Sequence, residues 1–249
     1  MSEKLKNGER IEDLQYRGLR IIQSERGFRL GTDSILLTGF VTASARDRII
    51  DLGTGTGVIA ILLNGRTGAK LTAVEIQPEQ CDMARRSIEM NGQDIEVFEG
   101  DMRTAHESLG RGKFDCAVSN PPYYKKESGI VSQKGDGEFK GAATHDTACT
   151  MEELVKSAAT FIKYGGKFFF CCPAARLSEA FAALKNNNME PKRLRLVAST
   201  EDKPPYLALI EAKKGAAPGL KMEKQLTVCN KDGSYTDEVN AIYHRNEYD

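Results

Sequence analysis

Short apolar runs alternate with segments of helical periodicity along most of residues 48–212. Runs of this length that are apolar on both faces are typical of buried strands, and the intervening segments repeat apolar side chains at helical spacing. This alternation indicates an open α/β sheet. We therefore predict an α/β fold with a seven-stranded, mostly parallel sheet flanked by helices. The predicted strands cover residues 48–52, 71–75, 95–98, 114–119, 167–172, 193–197 and 206–212.

Shorter elements are predicted before this core. Residues 10–30 alternate loosely and favour two short strands that turn at Glu25-Arg26-Gly27. An apolar run then predicts a helix over residues 33–44, with Thr32 or Asp33 as its N-cap.

The length of 249 residues suits one domain of ordinary size with additions. Beyond an exposed linker at 213–219, residues 226–229 favour a strand and residues 236–243 a short helix. The predicted organisation is an N-terminal extension over 1–45, a core over 46–214, and a C-terminal strand–helix extension over 215–249 that packs on the core.

A glycine-rich turn, Gly53-Thr54-Gly55-Thr56-Gly57, separates the strand at 48–52 from a helix. This arrangement holds nucleotide-like ligands against backbone N–H groups at a helix start. A dinucleotide fingerprint would require glycine at position 58, which is Val58, and Asp51 would repel a pyrophosphate. Asp51 suits instead a cationic group such as the methionine part of S-adenosylmethionine.

Two further acids follow at the ends of the next strands. Glu75 comes 22 residues after Gly53, near the spacing of about 20 at which a carboxylate binds two ribose hydroxyls. Asp101 follows the third strand and could accept a hydrogen bond from an adenine amino group. Each carboxylate alone is more often a capping or turn residue, but three acids at three successive strand ends are hard to reach by chance.

A rigid polar hook, Asn120-Pro121-Pro122-Tyr123, follows the fourth strand. Its prolines fix φ and lack an N–H, so the chain leaves the sheet as a stiff turn at the edge where open α/β sheets bind ligands. The Asn120 side-chain oxygen and the Pro121 carbonyl could accept both hydrogens of an exocyclic amino group, while Tyr123 stacks on its ring. The alternative interpretation is a turn that only ends the strand.

Charge is balanced overall, with 35 basic and 35 acidic side chains, but it is unevenly distributed. Residues 41–119 carry nine basic and twelve acidic side chains, whereas residues 120–224 carry seventeen and twelve. The basic excess lies where a polyanionic substrate would approach, although a solvated surface explains it about as well.

The six cysteines show neither a Cys-x-x-Cys pair nor a histidine at ligand spacing, so no metal site is predicted. Those in apolar runs indicate reduced core residues. The first ten residues are hydrophilic, and no apolar run approaches the ~18 residues that span a bilayer. We expect a cytoplasmic protein that does not enter the membrane.

Together the motifs resemble the class I, Rossmann-like methyltransferases that act on amino groups through an Asn-Pro-Pro-Tyr motif. More closely, the sequence is similar to the bacterial tRNA (adenine-N6) methyltransferase family that modifies adenine 37 of a valine tRNA. The likeness rests on Gly31-Thr32-Asp33-Ser34-Ile35-Leu36-Leu37, residues 51–57, residues 120–123, Asp202-Lys203-Pro204-Pro205 and Ser234-Tyr235-Thr236-Asp237-Glu238.

This resemblance implies S-adenosyl-L-methionine as cofactor and tRNA as partner, with residues 1–45 covering the cofactor. The implied catalytic residues are Asn120, Pro121, Pro122 and Tyr123. The expected cofactor-binding residues are Thr32, Asp33, Asp51, Gly53, Gly55, Gly57, Glu75, Ile76, Asp101 and Met102. The candidates for substrate binding are Tyr123, Lys125, Lys126, His145, Arg195 and Lys203.

The sequence departs from the family at Thr144-His145-Asp146, where relatives tend to carry a basic residue, then His, then Glu. Two other interpretations stay open. The same chemistry could act on a protein glutamine or a ribosomal-RNA guanine, or the chain could be a non-catalytic nucleotide- or RNA-binding module. The oligomeric state is not predicted.

Overall fold

The computed structural model describes residues 5–25, 31–120 and 149–243. In chain order its strands are β1 (Glu9–Asp13), β2 (Arg20–Ser24), β3 (Arg48–Leu52), β4 (Lys70–Glu75), β5 (Ile95–Glu99), β6 (Phe114–Ser119), β7 (Ile162–Pro173), β8 (Met189–Ala198), β9 (Leu207–Lys214), β10 (Lys221–Met222) and β11 (Leu226–Thr227). Its α-helices are α1 (Thr32–Phe40), α2 (Val58–Thr67), α3 (Pro78–Met90), α4 (His106–Leu109), α5 (Met151–Phe161), α6 (Leu177–Asn186) and α7 (Asp237–Ile242).

Nine of the described strands form one sheet in the order β10-β8-β9-β7-β6-β3-β4-β5, with β11 also paired to β8. The strands from β5 to β7 are parallel, and β9 runs antiparallel to its neighbours β7 and β8. The predicted α/β class with a mostly parallel sheet is confirmed. The sheet is wider than the seven predicted strands because β10 and β11, each of two residues, extend the β8 edge.

The sheet separates two hydrophobic clusters, one under α1, α2 and α7 and the other under α5 and α6. Successive residues of β7 face opposite clusters, as the period of two in a strand requires: Phe169 and Cys171 face the first, Phe170 and Cys172 the second. These cysteines and Cys116 are buried free thiols, as predicted. Within the described ranges, no helix has the length and apolarity needed to cross a bilayer.

The strands β1 and β2 pair as an antiparallel hairpin, and the predicted position of its turn is wrong. The turn that joins β1 to β2 is at residues 14–19, where the Leu14 N–H donates to the Leu19 carbonyl at 2.9 Å, and Arg26 and Gly27 of the predicted turn lie outside the described residues. Leu14 and Tyr16 are buried although they lie in the turn. Leu14, Tyr16 and Leu19 continue the apolar alternation through the turn, so Gly18 and the polar residues between them did not mark it as a turn.

Two helix ends show which local signals were reliable. Pro78 occupies the first turn of α3, and Asn91 caps its end before Gly92 at φ 62°, which are the positions that these residue types favour. By contrast α5 ends at Phe161, before the Gly165-Gly166 pair, which lies inside β7. A Cβ at Gly166 would lie 2.9 Å from the Asp115 carbonyl oxygen, so glycine there permits close approach of β6 and does not end the helix.

Helix α1 is shorter than predicted and is capped differently. Gly31 is its N-cap, in place of Thr32 or Asp33, and among the described residues no side chain caps its first turn. The side chain of Asp33 is directed elsewhere, since its Oδ1 accepts a hydrogen bond from the Tyr206 hydroxyl at 3.3 Å. The first turn of α1 is therefore tied to the segment before β9.

At its other end, α1 packs against α7. A Cβ at Gly39 would lie 2.8 Å from Ile242 Cγ2, so the absence of a side chain lets the two helices approach. The Ile242 carbonyl also accepts a hydrogen bond from Arg66 at the end of α2. Helices from both ends of the described chain thus pack together on one face of the sheet.

Candidate active site

Strand order reverses between β3 and β6, which are neighbours in the sheet although two strands separate them in the chain. Such a switch point is where open α/β sheets bind ligands, at the carboxyl ends of the strands. The glycine-rich turn follows β3, Glu75 ends β4, Asp101 comes after β5 and Asn120 directly follows β6. The topology therefore places the predicted site residues of four strands along one edge of the sheet.

The glycine-rich turn has a backbone that suits only glycine. Gly53, Gly55 and Gly57 have φ of 73°, 59° and 96°, in the left-handed region where a side chain is disfavoured. The N–H groups of Gly53 and Thr54 both donate to the Val74 carbonyl, at 2.9 and 3.0 Å. These bonds fold the turn across the end of β4 and place α2 directly behind it.

Asp51 is fully buried at the base of this turn. Its Oδ2 accepts a hydrogen bond from the Thr54 hydroxyl at 2.5 Å, whereas its buried Oδ1 has no hydrogen-bond partner among the described residues. Burial raises the pKa of Asp51 to about 7, the Thr54 bond partly offsets this rise, and the charge of Glu75 adds to it. A buried carboxylate oxygen without a donor fits a ligand that brings one, such as an ammonium group.

Glu75 organises the backbone around it. One carboxylate oxygen accepts from the Gly55 N–H at 2.8 Å, and the other from the N–H groups of Ile76 at 2.9 Å and Gln77 at 3.0 Å. Charge-assisted bonds of this kind are among the stronger hydrogen bonds in proteins. Glu75 thereby fixes the glycine-rich turn against the end of β4, beside Ile76. The predicted contacts of Glu75 and Ile76 with a ribose stay predictions.

Asp101 is paired within its own turn. Both of its oxygens accept from Arg103 Nε, at 2.9 and 2.8 Å, and Arg103 also lies 3.5 Å from Glu153 of α5. Burial alone would raise the pKa of Asp101, but the Arg103 bonds and charge outweigh it and hold the pKa below its usual value. Met102 packs on the second cluster beside it. Their predicted contact with adenine stays a prediction.

The side chain of Asn120 is held from two sides. Its Nδ2 donates to Ser34 Oγ of α1 at 3.0 Å, and its Oδ1 accepts from the Cys171 thiol of β7 at 3.0 Å. One residue earlier, the buried Ser119 hydroxyl donates to the Leu52 carbonyl at 2.6 Å. This bond joins the end of β6 to the end of β3. Asn120 is thus fixed beside the residues that precede the glycine-rich turn.

Two basic candidates for substrate binding have different surroundings. Arg195 is occupied by other groups, since its guanidinium pairs with Glu238 of α7 at 2.5 Å and donates to the Lys224 carbonyl at 3.0 Å. Lys203 is exposed in the turn before β9. The remaining predicted site residues lie outside the described residues: Pro121, Pro122, Tyr123, Lys125, Lys126 and His145.

Sequence reasoning missed two residues that contact Asn120, Ser34 and Cys171, and a third, Tyr206, that contacts Asp33. Ser34 belongs to the Gly-Thr-Asp-Ser motif but was given no role, and Cys171 was classed as an ordinary core residue. Tyr206, 41% exposed, reaches Asp33 from the end of the Asp202-Lys203-Pro204-Pro205 motif. Only a comparison of related sequences, in which these motifs recur, could have indicated these three residues. Across the described ranges, no three His, Cys, Asp or Glu side chains cluster as metal ligands would.

The Ser119 hydroxyl gives a direct test of how the two strand ends are held. Ser119→Ala should lower the free energy of unfolding by roughly 1–2 kcal/mol, because it removes a buried hydrogen bond and leaves the Leu52 carbonyl without this donor. Urea unfolding measures the change. Ser108→Ala on the exposed α4 is the control, expected within about 0.5 kcal/mol of the parent protein. Equal effects of the two substitutions would contradict the assigned bond.

Comparison with known proteins agrees with this geometry. Residues 22–134 match the family model of the methyltransferase small domain. Among solved structures, a predicted O-methyltransferase from Agrobacterium tumefaciens superimposes with a TM-score of 0.68 at 23% identity, covering 85% of this chain and 95% of that one. Residues 22–134 are therefore similar in sequence to a methyltransferase domain, and the chain has the class I methyltransferase fold.

Curated relatives carry one more specific name, tRNA1(Val) (adenine(37)-N6)-methyltransferase. The protein of that name from Bacteroides fragilis YCH46 is 28% identical over 198 residues, covering 79% of this chain and 81% of its own. The one from Parabacteroides distasonis is 27% identical over 233 residues, covering 92% and 94%. The family resemblance inferred from the sequence motifs is confirmed.

Proposed function

We propose that this protein is an S-adenosylmethionine-dependent methyltransferase that modifies N6 of an adenine in tRNA, with adenine 37 of tRNA1(Val) as its target. The observation that carries the proposal is the fixed amide of Asn120 at the carboxyl end of β6, beside the glycine-rich turn and buried Asp51. The names of the relatives support the substrate. A tRNA substrate also supports a cytoplasmic location.

The described residues fit the cofactor. One buried carboxylate oxygen of Asp51 has no donor within the described part of the chain, and it can accept from the ammonium of the methionine part. The positive φ angles of Gly53, Gly55 and Gly57 keep the adjacent backbone free of side chains. Glu75 and Asp101 are the acids available to the ribose and the adenine. When bound, S-adenosylmethionine supplies a methyl carbon made electrophilic by a sulfonium.

Asn120 acts on the amine that receives the methyl group. An exocyclic adenine amine is a poor nucleophile because its lone pair is delocalised into the ring. The Asn120 oxygen has a second lone pair besides the one that meets Cys171, and it accepts one amine hydrogen. The Pro121 carbonyl is the predicted acceptor of the other. Held in this way, the amine directs its lone pair away from the ring and toward the cofactor side of the site.

Positioning and electrostatics supply most of the rate in this mechanism. The amine proton can leave after methyl transfer, so the mechanism needs no dedicated general base. The target base must be turned out of its stack, which a single-stranded loop permits at modest cost. Tyr123 is the predicted stacking partner of that base.

The test is methylation of defined RNA by the purified protein. A tRNA1(Val) transcript with adenine at position 37 should acquire one N6-methyl group, located by mass spectrometry of nuclease fragments. The same transcript with guanine at position 37 is the matched control and should stay unmodified. Labelled cofactor incubated with total tRNA, ribosomal RNA and total protein tests the other acceptors. Label in ribosomal RNA or protein alone would overturn the proposal.

A further inference from the structure

The two hydrogen bonds on Asn120 come from elements far apart in the chain, and both end on the polar atoms of its amide. We propose that Ser34 and Cys171 are positioning residues, which fix the amide of Asn120 with its oxygen directed for substrate binding. The inference deepens the proposed function, since it assigns the parts of the protein that prepare its acceptor for the amine.

An asparagine amide can rotate by 180°, which exchanges the donor NH2 group with the acceptor oxygen. The Ser34 hydroxyl could accept from Nδ2 or donate to Oδ1, so Ser34 alone does not select an orientation. The Cys171 thiol is a donor and only a weak acceptor, and it therefore favours the oxygen of Asn120. With both contacts present, the Asn120 amide prefers the orientation in which its Nδ2 donates to Ser34 and its Oδ1 accepts from Cys171.

The surroundings of Cys171 keep it a donor. Its side chain is fully buried on the face of the sheet covered by α1. Burial, and after it the nearby charge of Asp33, raise the pKa of the Cys171 thiol well above its usual value, so the sulfur holds its proton. Deprotonation would replace the donor by a second acceptor facing Oδ1.

The sheet register makes the contact with Cys171 specific. Ser119 is paired with Phe170, so Asn120 and Cys171 are the next residues along the two parallel strands. Phe170 and Cys172 face the opposite cluster. Cys172 therefore provides a matched control, because it is adjacent in sequence and as well buried but lies on the other side of the sheet.

The experiment measures Ser34→Ala, Cys171→Ala, Cys171→Ser and Cys172→Ala in the full chain. We expect Ser34→Ala and Cys171→Ala each to lower kcat for tRNA about tenfold, with the Kd of S-adenosylmethionine within about twofold of the parent value. Cys171→Ser keeps a hydroxyl donor and should recover most of this loss. Cys172→Ala should leave kcat within about twofold, whatever its effect on thermal stability.

A double-mutant cycle separates positioning from a general loss of packing. In an Asn120→Ala background, Ser34→Ala and Cys171→Ala should lower the residual transfer rate by less than about twofold, because the side chain that they position is gone. Losses of the same size in both backgrounds would overturn the inference. So would equal losses for Cys171→Ala and Cys172→Ala.

A readout without substrate keeps this inference separate from the proposed function. In a protein labelled with ¹⁵N-asparagine, the Asn120 side-chain NH2 signals are identified by their absence in Asn120→Ala. They should shift and exchange faster with water in Ser34→Ala and Cys171→Ala but not in Cys172→Ala. Unchanged signals would refute the positioning role. Changed signals in a protein that does not methylate tRNA would refute the proposed function alone.

Discussion

Replacing Asn120 by alanine should reduce methyl transfer by at least ~10²-fold while S-adenosylmethionine binds with nearly the parent affinity. The described contacts of Asn120 are with Ser34 of α1 and with Cys171 of β7, and β7 lies on the far side of β6 from β4 and Glu75. Its loss removes the acceptor that orients the amine and leaves the cofactor residues in place. Single-turnover methylation of tRNA and calorimetric titration with the cofactor measure the two quantities.

The matched control for this prediction is Asn186→Ala, at the end of α6. Asn186 is exposed, and its hydrogen bond to Glu152 is long at 3.4 Å. We expect this variant to keep the parent transfer rate and cofactor affinity. If Asn120→Ala lost cofactor affinity and transfer to the same extent, Asn120 would belong to the cofactor site, and its assignment to the amine would be wrong.

The second large effect is expected for Asp51→Asn, which should weaken cofactor binding by about 10²-fold at pH 8. The change keeps the size of the side chain but removes the buried charge that faces an ammonium group, and hydrogen bonds to charged groups contribute about 1.5–3 kcal/mol. Titration calorimetry at pH 8 gives the ratio of the dissociation constants.

The pH dependence follows from the raised pKa of Asp51, about 7 in the folded protein. The carboxylate form binds the ammonium, so cofactor affinity should fall up to tenfold for each pH unit below about 7. Stability changes in the opposite direction. The unfolded pKa is about 4, so the contribution of Asp51 to the free energy of unfolding falls as pH rises from about 4 to about 7 and is level above that. Asp51→Asn should remove both dependences, and it should gain stability relative to the parent at pH 8.

Asp82→Asn is the control for this pH profile. Asp82 is partly exposed, and its bonds with Lys6 and Arg86 lower its pKa, so it stays ionised above pH 5. The variant should retain the pH dependence of the parent protein. If the parent protein bound the cofactor with the same affinity at every pH between 5.5 and 8, the carboxylate of Asp51 would not contact the cofactor ammonium.

Local patterns were sufficient to predict most of the sheet and the residues at its edge. The strand over residues 48–52 and the turn that follows it depend on nearby residues: a short apolar run, an acid and three closely spaced glycines. Because the carboxyl ends of parallel strands meet at one edge, the positions of Glu75, Asp101 and Asn120 at strand ends already implied one cleft.

What the sequence did not indicate depends on contacts between distant residues. Asn120 and Ser34 are 86 positions apart, and Asn120 and Cys171 are 51 apart. No local pattern in the sequence links the two residues of either pair. The basic candidate Arg195 illustrates the same limit, since its partner Glu238 lies 43 positions away on α7. A basic residue with no acidic neighbour in the sequence can form an ion pair with an acid on an element much further along the chain.

The packing of α7 on α1 sets the order in which this site can be built during synthesis. Residues 237–242 of α7 leave the ribosome long after α1 and β6, yet Gly39 of α1 fits against Ile242. Until then, the side of α1 that packs against Ile242 is uncovered, and the helix that carries Ser34 lacks one of its neighbours. We expect the nascent chain to form its sheet early and to gain catalytic competence only after α7 has been synthesised.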